Sequence, residues 1–155
     1  MPWRKVLSAD GLSLRALALV EPLSVGFHAV ARARVRVGDT VAVIGCGAVG
    51  IGAVAGAARQ RATVIAVDVD HRKLELARRA GAAHLVNSRT DRLRDQLRGL
   101  TSGDGPDVVI EAVGTPETFV AAVDEVAFAG RVVYIGYAMS PVCYDTAKFV
   151  KKELD

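Results

Sequence analysis

The stretch AVIGCGAVGIGAVAGAARQRATVIAVDVD, Ala42 to Asp70, decides the fold. It opens with an apolar run, passes through a glycine cluster into a segment of small residues, and ends with a second apolar run closed by acid. Gly45, Gly47 and Gly50 stand in the spacing G-x-G-x-x-G, after a run that reads as a strand and at the head of a segment that reads as a helix. Each glycine has a separate task. The first permits a tight turn, the second lets backbone approach a pyrophosphate with no Cβ in the way, and the third lets the helix pack closely on its strand. The head of the helix adds unpaired N–H groups and partial positive charge. Gly52 and Gly56 follow on the same helix. A glycine inside a helix costs about 1 kcal/mol relative to alanine, so two of them imply close approach of another element.

Asp68 closes the second run, near the spacing at which a carboxylate accepts hydrogen bonds from an adenosine ribose. A carboxylate there repels a ribose 2′-phosphate, so NAD is expected rather than NADP. His71, Arg72 and Lys73 come next and soften that repulsion, although a solvated first helical turn explains His71 and Arg72 equally well. Methyltransferases that use S-adenosylmethionine share the glycine turn and the later acid. They usually carry a further acid just before the glycines, where this chain has Val43 and Ile44. A flavin-binding unit generally sits near a chain start and leads into a much longer protein.

Outward from this stretch, the chain alternates. Short runs rich in Val or Ile occupy Val41 to Ile44, Thr63 to Val67, His84 to Val86, Asp107 to Ile110 and Arg131 to Ile135. They are continuous rather than alternating, as expected of strands covered on both faces. Helical segments lie between them at Ala48 to Arg59, His71 to Ala80, Asp91 to Arg98 and Pro116 to Ala127. Gly81 and Gly130 are placed to end helices in the left-handed conformation. Leu12 to Ala33 is also helical, with a break expected at Glu21-Pro22, where proline suits the first turn of a new helix. Strand and helix in strict alternation predict an α/β fold, a doubly wound parallel sheet of about five strands with helices on both faces. The expected division is a helical lead-in over residues 1–20 and a dinucleotide-binding domain over 21–155.

Bulk properties agree with one soluble domain. The 155 residues are 51% hydrophobic and 24% charged, with 15 glycines, a globular composition that excludes disorder. The formal charge of +3 comes from scattered arginines, with no interleaved aromatics to stack on bases, so nucleic acid is not an expected partner. The first twenty residues are interrupted by Asp10, Gly11 and Arg15 and do not read as a signal or membrane segment. Cys46 and Cys143 read as free thiols in a reducing compartment, so the cytoplasm is the expected location.

Five segments in order, EPLSVGFHA, GDTVAVIGCGAVG, AVDVDHRKLELARRAGA, DVVIEAVG and GRVVYIGY, resemble the cofactor-binding domain of the zinc-dependent medium-chain alcohol dehydrogenases. The likeness is to the branch that oxidises polyols, sugar acids and threonine, and it runs from about Asp10 to the end. The resemblance implies that Gly45, Gly47, Ala48, Val49 and Gly50 form the pyrophosphate turn and that Asp68 and Lys73 bind the adenosine ribose. It implies that Val113 and Gly114, after the fourth strand, and Ile135 and Gly136, after the fifth, line the nicotinamide half of the cleft. It places Glu21 at or near a catalytic zinc whose other ligands come from a catalytic domain outside these residues. No catalytic residue is therefore expected within the chain, and a small polyol or sugar-acid substrate would be met through that other domain. A sixth strand is expected to be missing, which leaves an open edge on the fifth that invites a homo-oligomer. Two functions are implied, the NAD-binding part of a dehydrogenase or an NAD-binding module without catalysis of its own.

Overall fold

The alternating runs form the layers expected of them. In the computed structural model, which describes residues 8–155, five strands make one sheet: β1 Thr40–Ile44, β2 Thr63–Asp68, β3 His84–Asn87, β4 Val108–Glu111 and β5 Arg131–Tyr134. The helices are α1 Leu14–Arg32, α2 Ala48–Arg59, α3 His71–Arg79, α4 Leu93–Leu100, α5 Pro116–Glu125 and α6 Ala147–Lys152. All strands are parallel in the order β3-β2-β1-β4-β5. This is the doubly wound, Rossmann-like arrangement that the alternation predicts. The expected lead-in over residues 1–20 lies outside the described residues as far as Leu7.

Register places the strand ends level. Ile44 lies opposite Val67 and Glu111, and Glu111 lies opposite Tyr134. The chain leaves β1 toward β2 on one side and later returns to β4 on the other, so the order reverses between β1 and β4. A crevice opens at such a switch point, outside the carboxyl ends of the strands.

Because side chains alternate across a strand, each strand serves two cores. Val41, Val43, Val64, Ala66, Val108 and Ile110 pack with Val30, Ala53, Val54, Ala57, Leu74 and Ala77 on one face. Ala42, Ile44, Ile65, Val67 and Val109 pack with Leu97, Ala122 and Val126 on the other. Burial on both faces is the reason that these runs are continuous in hydrophobicity.

Helix α1 differs from expectation. It continues through Pro22 with no break. Proline removes a single donor, and the exposed first turns leave the neighbouring carbonyls open to water. Packing on α2 holds the helix straight through. A Cβ on Gly52 would lie 2.6 Å from the carbonyl oxygen of Leu23, and one on Gly26 would run into the backbone of Val49 and Ala53. Gly52 of α2 is thus explained by the backbone of α1, and Gly56 by the side chains of Val30 and Phe27 on it. By length and composition α1 would suffice to cross a membrane, but Gly26, Ala29 and Val30 are buried here. At its carboxyl end the Arg131 guanidinium donates to the carbonyls of Ala33 and Arg34 and to Asp39. The amino half of α1, with Glu21, is therefore directed toward the carboxyl edge of the sheet.

Smaller departures occur at element ends. Gly81 is left-handed as expected, at φ +112°, whereas near Gly130 it is Ala129 that takes the left-handed conformation. Gly130 answers crowding instead, since a Cβ there would lie 2.5 Å from Val126 Cγ2. Helix α6 was not expected. Lys152 on it donates through Nζ to the carbonyls of Val123, Asp124 and Val126, at the end of α5. Asp155 then donates its N–H to Gly130 and accepts from the N–H of Val132, a parallel rung beside Arg131. The start of the β5 edge is thus covered by the chain itself.

Gly52→Val forces α1 and α2 apart and should lower stability by about 1–3 kcal/mol. Gly99→Ala, inside α4 where a Cβ meets nothing within 4 Å, should raise it by about 0.5–1 kcal/mol. Urea unfolding of the two variants checks both signs.

Candidate functional site

The crevice between β1 and β4 is built from three turns. At the end of β1, Gly45 has φ +97°, donates its N–H to Val67 O at 2.8 Å, and would place a Cβ 2.7 Å from Val113 Cγ2. A Cβ on Gly50 would run into Gly45 O. The fold itself therefore demands glycine at both positions. Gly47 is different. Its φ of −70° and ψ of −174° suit any residue, and a Cβ there meets nothing within 4 Å. It is the N-cap of α2 and provides no side-chain cap, so the amides of Ala48, Val49 and Gly50 stand at an uncapped helix start. Nothing in the fold asks for glycine at 47.

Asp68, at the end of β2, is 8% exposed. Its Oδ2 accepts the N–H of Cys46 at 2.8 Å and its Oδ1 accepts that of Asp70 at 2.9 Å. Lys73 Nζ lies 4.0 Å from Oδ2. One carboxylate thus ties the glycine turn to the head of α3. A cleft of about 290 Å³ brings Gly45, Gly47, Asp68, Lys73, Ser88, Val113 and Thr118 together. Ser88 and Thr118 were not singled out from the sequence, and neither carries a motif that would have marked it.

Cys46 sits beneath this turn. Burial, reinforced by the negative charge of Asp68, pushes its thiol up to about 12 against the partial opposition of Lys73 and a bond to Val67 O. It is therefore held in the protonated form at neutral pH.

The remaining expected residues gather at the ends of β4 and β5. Val113 N and Gly114 N each donate to Glu111 Oε1 at 2.8 Å. Ile135 N and Gly136 N donate to the main-chain oxygen of Glu111 at 2.9 and 3.0 Å. Thr118 Oγ1 completes the set on Oε1 at 2.7 Å. Gly114 has φ +88° and would place a Cβ 2.6 Å from Tyr137 N, so its glycine is required. Glu111 is fully buried and was missed by sequence reasoning. The available signal was a lone acid closing an apolar run in DVVIEAVG.

Glu21 stands apart from these residues, exposed on α1. Among the described residues no group of three or more His, Cys, Asp or Glu side chains is placed to hold a metal ion. A catalytic zinc takes three protein ligands, and the residues described do not fit one.

Known proteins share this fold. The zinc-binding dehydrogenase family matches residues 48–155, from the head of α2 through both loops to the end. The chain belongs to that family. Among its relatives are a sorbitol dehydrogenase of Bacillus subtilis, 37% identical over 84% of this chain and 37% of the relative, and a D-xylulose reductase of Scheffersomyces stipitis, 42% identical over 94% and 40%. A solved zinc-dependent alcohol dehydrogenase from Streptococcus superposes with a TM-score of 0.87 and 35% identity, over 96% of this chain and 44% of the other. The chain therefore spans about two fifths of the length of these relatives. The resemblance read from five segments is borne out, and the methyltransferase alternative falls with it.

Folded protein at pH 8 should yield one thiol per chain to a chromogenic disulfide reagent, from exposed Cys143, and two in denaturant. Rapid reaction of both in the folded state would contradict the burial of Cys46.

Proposed function

We propose that this chain is the NAD-holding part of a zinc-dependent dehydrogenase acting on the secondary alcohol of a polyol or sugar acid. Gly47 carries the proposal. Its glycine is unnecessary to the backbone and to the packing, which leaves the close approach of a pyrophosphate as the physical reason for it. The N–H groups of Ala48, Val49 and Gly50 and the positive end of the α2 dipole then face the phosphates. Gly45 and Gly50 give the turn its shape.

Asp68 accepts from the adenosine ribose hydroxyls with lone pairs not used by Cys46 and Asp70, and Lys73 reaches the same ribose. The same carboxylate disfavours a 2′-phosphate, which makes NAD the cofactor rather than NADP. Val113, Gly114, Ile135 and Gly136 line the nicotinamide side, where the bound cofactor supplies a hydride acceptor. The residues of this chain bind and orient it. The relatives named for sorbitol and D-xylulose support the alcohol class. Glu21 offers a single carboxylate, so zinc would need further donors from the catalytic domain that also meets the substrate. Free thiols accord with the cytoplasm.

Gly47→Asp separates this reading from a turn-geometry role. Aspartate is a better N-cap than glycine and complements the helix dipole, so stability should hold or rise by a few tenths of a kcal/mol. Its charge meets the pyrophosphate, so NADH affinity, followed by ligand fluorescence, should fall at least about a hundredfold. Unchanged NADH affinity in the folded variant would refute the phosphate site. Asp68→Ala should weaken NADH by roughly tenfold or more and narrow the preference over NADPH.

A further inference from the structure

All four residues expected at the nicotinamide end of the cleft send their backbone N–H groups to one residue. Val113 and Gly114 donate to the side chain of Glu111, and Ile135 and Gly136 to its main-chain carbonyl. The main-chain pair would survive any substitution. The side chain does something further: Oε1 gathers two successive amides and the Thr118 hydroxyl from the first turn of α5. Its other oxygen lies in the space where a Cβ on Gly136 would stand. Glu111 is thus bonded to the β4 loop and packed against the β5 loop, with no exposure to solvent.

The direction of those bonds matters. In a trans peptide the N–H and C=O point opposite ways, so drawing the Val113 N–H inward turns the Ala112 carbonyl away from Glu111. That carbonyl faces the glycine turn, 3.1 Å from the position of a Cβ on Gly45. Ala112 and Val113 both line the cleft. The carboxylate therefore sets the wall of the cleft without entering it. Three bonds from two amides and a hydroxyl converge on Oε1, while Oε2 is buried without a hydrogen-bond partner among the described residues, and Gly114 in the left-handed region leaves the loop little intrinsic preference of its own.

We propose that Glu111 is a positioning residue for the nicotinamide half of the cofactor site. The proposal rests on the NAD reading given above. Glu111 acts through the Val113–Gly114 and Ile135–Gly136 loops, while the adenosine half is held separately by Asp68 and the glycine turn.

NADH and ADP-ribose differ by the nicotinamide ring alone, which makes them the pair of probes. Titrated calorimetrically into the 155-residue chain, Glu111→Ala should weaken NADH about tenfold and leave ADP-ribose within about twofold. Glu111→Gln, which keeps one acceptor oxygen, should weaken NADH by about threefold and ADP-ribose not at all. If the alanine variant fails to fold, the glutamine variant carries the test. Equal loss of both ligands, or unchanged NADH affinity in both variants, would overturn the positioning role while leaving the NAD reading intact. Wild-type protein that binds neither ligand would overturn both.

Discussion

The contact between Gly50 and the carbonyl of Gly45 is the constraint on which the rest depends. With no side chain at either position, α2 starts directly on the carboxyl end of β1, and its first amides stand at the mouth of the crevice. A Cβ on Gly50 would push the helix head away and open the turn. Close packing propagates outward from there. Gly52 and Gly26 bring α2 and α1 into backbone contact, and α1 in turn is tied to β5 through Arg131.

Two buried carboxylates organise the carboxyl edge by the same physical means. Each closes a strand, and each would be costly to bury without donors. Asp68 draws the amides of Cys46 and Asp70 and so joins the β1 turn to α3. Glu111 draws those of Val113 and Gly114 together with Thr118 and so joins the β4 loop to α5. In both cases the need of a buried carboxyl group for hydrogen bonds becomes the shape of a loop. Asp68 also reaches the cleft, whereas Glu111 remains behind its wall.

The fold was largely legible. Every strand and the four helices from α2 to α5 lie within a few residues of the positions read from the sequence, because strands covered on both faces must be continuously apolar and glycine punctuates their connections. The uninterrupted α1 was not legible, since Pro22 is a local signal and packing on α2 overrides it. Helix α6 was hidden in a segment with no strong period, and its place depends on Lys152 meeting the end of α5. Glu111 was visible as an acid in an apolar run, but its bonding depends on which backbone groups the sheet carries past it.

By itself the sequence determined the element order, the parallel sheet and the glycine turn with Asp68 beyond it, because these follow from periodicity, backbone freedom and charge along the chain. Only the tertiary structure decided which contact, if any, enforces each glycine. Gly45 and Gly50 face backbone or side chain that leaves no room, and Gly47 faces open space. The spacing names a task for each glycine, but the crowding that enforces it is steric and exists only once Gly50 folds back on Gly45 and the β4 loop packs beside them.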